Sequence, residues 1–92
     1  MASTKKPQSY SRRKRNKDFI NRVKRTLGCF DCGEKNPIVL EFDHVCGIKK
    51  DNVSSMSKGE YSIKSIKEEI RKCNVRCANC HRKKTYERRM PL

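Results

Sequence analysis

The chain has no tryptophan, only three phenylalanines and three tyrosines, and no long run of apolar residues. A membrane-spanning helix needs about 20 consecutive apolar residues, so none is expected. Apolar residues make up 34% of the 92 positions, enough for one domain with a thin core. Such a domain needs a staple, either a metal or disulfides. Acid is scarce too: 10 Asp and Glu stand against 24 Lys and Arg, a formal net charge of +14. That excess goes beyond solubility and points to a polyanionic partner, most often nucleic acid. An anionic membrane surface is the competing reading, but no amphipathic apolar stripe stands beside the basic residues. The stretch Met1-Ala-Ser-Thr-Lys-Lys-Pro7 has none of the apolar character of a signal peptide, so the expected location is intracellular and reducing. Cysteines there favour metal ligation, whereas a secreted chain would restore a disulfide framework.

Against these shortages the chain is rich in cysteine, with six. Four form two pairs, Cys29-Phe-Asp-Cys32 and Cys77-Ala-Asn-Cys80. Two intervening residues let both sulfurs of a pair face one ion from a single tight turn, and two pairs make a tetrahedral zinc site. Residues 33–76, 44 positions, separate the pairs. A zinc ion would therefore close a large loop and clamp both ends of the domain, so that metal binding becomes folding free energy. Cys46 and Cys73 fall outside the pairs and read as small, buried, inert thiols. Cys46, two residues from His44, is alternatively a neighbour of a second metal.

Residues 1–16 carry Arg12, Arg13, Lys14 and Arg15 with no hydrophobic period. They read as a disordered basic arm that orders on a phosphate backbone, or as a solubilising tail. Residues 17–90 form the domain. A helix is expected over Asn16–Leu27, with Phe19, Ile20, Val23 and Leu27 on one face and Gly28 just past its end. Alternation over 38–44 predicts a strand ending at Asp43-His44. Residues 45–58 read as a loop with a short return strand, a loose hairpin anchored by Val53 and Met56. A second helix is expected over Tyr61–Cys73, capped by Ser62 or by a Ser65/Glu68 capping box. A last helix runs from about Cys80 to Met90, stopped by Pro91.

Asp43, His44, Asn74 and His81 form a candidate catalytic set. Cutting a phosphodiester needs a divalent cation on the scissile phosphate and a base to take a proton from water. A carboxylate with an imidazole is an incomplete ligand set that leaves positions open for phosphate and water. His81 follows Cys80 directly, so a structural zinc would fix its position. One tension is visible: strict alternation sends Asp43 and His44 to opposite faces, unless the strand ends or bends at Val45-Cys46-Gly47. On a helix from Cys80, Lys84, Thr85 and Arg88 share the face of His81 and suit phosphate contacts, or else form a solvated face. Glu41 either tunes the base or is a surface strand residue.

Taken together, Leu40-Glu-Phe-Asp43-His44-Val and Lys72-Cys-Asn74-Val-Arg-Cys77-Ala-Asn-Cys80-His81-Arg-Lys-Lys-Thr85 resemble the HNH endonucleases of the ββα-metal superfamily, in their small phage and bacterial form with two CxxC zinc knuckles. The resemblance spans about residues 25–88. It implies a small α+β, zinc-stapled domain that hydrolyses DNA to 5′-phosphate and 3′-hydroxyl ends in the cytoplasm of a host cell. It assigns His44 as general base, Asp43 and His81 as ligands of Mg²⁺ or another divalent ion, and Asn74 as the residue that braces the hairpin loop and orients the base. Asn79 is the other Asn in range, inside the knuckle. A homodimer, or work beside phage packaging or recombination proteins, is an expectation at the same level. The alternatives are a zinc-stapled nucleic-acid-binding module without catalysis and a disulfide or redox protein.

Overall fold

The computed structural model describes residues 8–59 and 61–89, with side chains from residue 11 onward. The elements in order are helix α1 (Gln8–Leu27), a 3-10 turn (Pro37–Val39), strand β1 (Leu40–His44), helices α2 (Val53–Lys58) and α3 (Ile63–Ile70), strand β2 (Cys73–Cys77) and helix α4 (Ala78–Arg89). The class is α+β, with one two-stranded antiparallel sheet.

Helix α1 begins two turns before the expected Asn16, so residues 8–16 are helical rather than a disordered arm. The cause is a tertiary contact with no periodic signature. Asn16 is fully buried and its Nδ2 donates to the Tyr61 carbonyl at 3.1 Å, pinning this part of α1 to the start of α3. The basic residues 1–7 lie outside the described residues, as does the expected stop at Pro91. The other end of α1 follows expectation. Gly28 has φ +69° and its amide donates to the Lys24 carbonyl at 2.8 Å, closing the helix in the left-handed conformation that glycine adopts without strain. A Cβ there would lie 3.3 Å from the carbonyls of Gly33 and Glu34, so the position tolerates little else. Leu27, expected on the buried face, is 61% exposed.

The return strand lies far from its expected place. Residues 53–58 form helix α2, and the partner of β1 is β2, reached only after α3. Val53 and Met56 do anchor the core, but from a helix. The register pairs Leu40 with Cys77, Phe42 with Val75, Asp43 with Asn74 and His44 with Cys73. One face of the sheet is therefore apolar (Leu40, Phe42, Cys73, Val75, Cys77) and ends in His44. The other carries Glu41, Asp43, Asn74 and Arg76. Helix α3 is capped by Ser62, which accepts from the Ser65 amide at 3.1 Å, so of the two expected caps Ser62 is used.

Two small apolar clusters make the core. Ile20, Val53, Met56 and Ile66 join α1, α2 and α3, while Cys29, Leu40, Val75 and Cys77 lie under the cysteine pairs. Phe42 touches both and couples the helical half to the knuckle half.

Candidate active site and metal centre

The four paired cysteines converge. Cys29 and Cys77 are buried, and the ligand atoms of Cys29, Cys32, Cys77 and Cys80 all lie within 4.8 Å of one another. The Cys32 and Cys77 sulfurs are 3.7 Å apart. A tetrahedron with zinc–sulfur bonds of about 2.3 Å has edges of about 3.8 Å, so the spacing suits one such ion. Backbone geometry supports it. The amides of Cys77 and Cys32 point at the Cys29 sulfur at 3.3 and 3.5 Å, and the Cys80 amide at the Cys77 sulfur at 3.4 Å. Burial opposes ionisation of Cys29, but these amides overcome it and bring its pKa down to about 6. Cys80 is pushed up to about 12, first by its Cys77 neighbour and then by burial. Four sulfurs this close cannot all ionise without a cation among them, so the donor set fits a structural metal such as zinc.

The polar face of the sheet holds Asp43. It is 4% exposed and receives three guanidinium hydrogen bonds: two from Arg88, at 3.1 and 2.9 Å, and one from Arg76. Burial raises its pKa, but Arg88, Arg76 and the nearby His81 outweigh that and hold it below the usual carboxylate range. Arg76 is itself buried, and its Nε donates to Asp31 at 2.7 Å. Asp31 sits in the first knuckle turn, so Arg76 ties that knuckle to the candidate site. Helix α4 starts directly after Cys77 and brings His81 over the same face. His81 Nε2 lies 3.5 Å from Asp43 Oδ1, and its Nδ1 lies 2.7 Å from Glu41 Oε1. A carboxylate only accepts, so Nδ1 donates to Glu41, which leaves Nε2 as the nitrogen that faces Asp43. Glu41 thus positions His81, not His44.

His44 is on the other face. Strand β1 stays regular through it, so the tension visible in the sequence is real. The structure brings Asp43 and His81 together and turns the His44 ring away from them. Nε2 of His44 lies 2.8 Å from Glu69 Oε2. Glu69, in the last turn of α3, is 1% exposed; it also accepts from Lys72 Nζ at 2.9 Å and from the Lys50 amide at 3.0 Å. Burial opposes its charge, but Lys72, the Lys50 amide and His44 overcome this and hold its pKa at about 2. The expected orienting residue, Asn74, lies opposite Asp43 on the face away from this ring. Cys73 packs against the core and is pushed up to about 11, mainly by burial, as expected of an inert thiol. Cys46, expected to be buried, is instead exposed, because it follows the end of β1 on the surface with its sulfur against the Lys72 carbonyl.

Two grooves adjoin His81 and a third continues from them. One is lined by Glu41, His81, Arg82, Thr85, Tyr86 and Arg89. A second contains Lys24, Glu41, Phe42, Ser54 and His81, and a third Arg13, Lys17, Lys24, Ser54 and Lys58. Shared lining residues make them one track from α1 over α2 to α4. Of the expected phosphate contacts, Thr85 and Arg13 line this track. Arg88 is engaged with Asp43, and Lys84 lies 3.5 Å from Glu87. Lys14 pairs with Asp18 at 2.9 Å, Arg15 donates to Asn16, and Arg12 lies on the same helix.

Glu69, Arg76 and Lys24 are the site residues that sequence reasoning missed. Arg76 had no signal of its own, since only the β1–β2 register, hidden in the sequence, places it on the face of Asp43. Glu69 had little, because apart from Lys72, three residues on, its partners lie 19 and 25 residues away. Among the described residues no helix is long and apolar enough to cross a membrane. No family model, no curated protein and no solved structure matches the chain.

Proposed function

We propose that the chain is a metal-dependent DNA endonuclease of the HNH type, with a structural zinc at the four cysteines. The observation that carries this reading is the pairing of Asp43 Oδ1 with His81 Nε2 at 3.5 Å, where a basic track passes. A lone pair facing a carboxylate oxygen at that distance is favourable only with a cation or a proton between them. The carboxylate–imidazole pair fits Mg²⁺ or Mn²⁺, with the remaining positions left to water and phosphate oxygens. When bound there, the ion would supply charge neutralisation at the scissile phosphate.

The chain's own residues do the rest. Lysines and arginines along the track hold the DNA backbone and set its register without reading bases. Glu41 holds the His81 ring so that Nε2 faces Asp43. His44, at the strand end, takes a proton from water on Nδ1 as the water oxygen attacks phosphorus. The bond from phosphorus to the 3′ oxygen breaks, and that oxygen takes a proton from solvent. The phosphate must lie across the end of β1 for both faces to reach it. His44→Ala is expected to abolish cleavage of supercoiled plasmid while leaving DNA binding intact. Cleavage at the wild-type rate would show the base to be elsewhere.

A second reading, a zinc-stapled binding module without catalysis, is favoured by the guanidinium contacts to both Asp43 oxygens. A cation on Oδ1 has to displace Arg88. Manganese titration followed by electron paramagnetic resonance separates the readings. The nuclease predicts an Mn²⁺ site that is lost in Asp43→Asn, whereas the binding module predicts no such site.

A further inference from the structure

The largest buried acidic group has no role in the mechanism proposed above. Glu69 is on a helix that the general acid–base reading does not use, yet it sits at the centre of a convergent network. Lys72 Nζ donates both to Glu69 Oε1 and to the Ile48 carbonyl, the Lys50 amide donates to Oε2, and the His44 ring meets that same oxygen. The loop after β1 is thereby folded back against the end of α3, with His44 held between them. Burying a carboxylate is costly, and three donors offset that cost here. A carboxylate that only braced the loop would be satisfied by Lys72 and Lys50. The ring is the additional partner.

We propose that Glu69 is the positioning residue for His44: it accepts the Nε2 proton and so fixes the tautomer whose bare Nδ1 meets water. This rests on the reading of His44 as general base. Two observations support it. An ionised carboxylate has no proton to give, so the 2.8 Å contact requires the proton on Nε2. Among the described residues no buried side-chain nitrogen or oxygen lacks a partner. Nδ1, for which no protein partner is found, is therefore the nitrogen open to solvent. The Nε2 contact also fixes the direction in which Nδ1 points, which a base needs as much as the right protonation. The proton abstracted from water goes to Nδ1, and the resulting imidazolium faces Glu69.

The chain has two histidines, which keeps the test simple. Nitrogen-15 to proton correlation spectra of the rings, recorded at a pH of about 9, above the ordinary imidazole range, report which nitrogen of His44 bears the proton in the zinc-loaded wild type. Nε2–H is expected, and a proton on Nδ1 overturns the proposal. In Glu69→Gln the side-chain amide can donate to Nε2, so the Nδ1–H form is expected to appear. Turnover at saturating plasmid is then expected to fall by roughly 10²-fold, with DNA affinity unchanged. A folded Glu69→Gln protein that turns over at the wild-type rate overturns the proposal. Should that variant fail to fold, the wild-type spectrum still decides the matter. Wild-type cleavage by His44→Ala would defeat the base assignment beneath the proposal. That failure is separable, because the spectrum reads the Glu69–His44 contact without any cleavage.

Discussion

Two buried charges, Glu69 and Arg76, connect the knuckles, the sheet and the candidate site. Glu69 makes a specific prediction about acid. Its folded pKa of about 2 lies below the ordinary 4.5, so it stabilises the fold above pH 4.5. That contribution shrinks as pH falls from 4.5 and is gone once pH passes below about 2. Urea unfolding at stepwise lower pH should therefore show a loss that is smaller in Glu69→Gln than in the wild type. Parallel curves for the two proteins would contradict it. Arg76 should be the more severe position at neutral pH. Arg76→Met leaves the buried Asp43 with Arg88 and the more distant His81 and strips Asp31 of its partner, which is expected to cost about 3 kcal/mol in urea unfolding. A cost below about 1 kcal/mol would mean that Asp43 needs Arg88 alone. Neither residue announces itself in the sequence: a Glu at the end of an amphipathic helix and an Arg between cysteines both look like surface charges.

Periodicity located most of the elements, and tertiary contacts moved their boundaries. The helix face of Ile63, Ile66 and Ile70 and the alternation of Leu40 and Phe42 were legible, because each buries apolar side chains at its own repeat. The start of α1 was not legible, because the residue that holds its first half is the polar Asn16. Asn16→Ala is expected to leave the Tyr61 carbonyl unpaired and cost about 1–3 kcal/mol. Hydrogen exchange should then quicken in residues 11–16 while β1 and β2 keep their protection. Unchanged exchange there would show that the contact does not hold the helix. The return strand was misplaced for a related reason. Val53 and Met56 have the spacing of a helical turn, but Ser54, Ser55 and Ser57 among them read as loop. The true partner of β1 was hidden just before the second knuckle: the expected helix ran on to Cys73, and Asn74-Val-Arg-Cys77 read as the lead into the metal pair.

Seen whole, the molecule is a thin-cored chain closed by its cysteines. The metal cluster was the most legible part of the site, because ligand spacing within one turn is a local property. The division of Asp43 from His44 was foreseeable from strand alternation, and Val45-Cys46-Gly47 does not undo it. Since the pairs close 44 residues, zinc removal should unfold the domain. One zinc per chain is expected by elemental analysis, with loss of helical circular dichroism on strong chelation. A folded, zinc-free Cys77→Ala protein would contradict the staple. The same closure sets His81 beside Asp43, so metal loss and loss of cleavage should coincide.

The most direct test of the central claim is conversion of supercoiled plasmid by the zinc-loaded protein with Mg²⁺ or Mn²⁺, set against EDTA and against His44→Ala. The account predicts metal-dependent appearance of open-circular or linear DNA that the variant does not produce. Salt-sensitive binding of the plasmid with no cleavage under any divalent ion would contradict it.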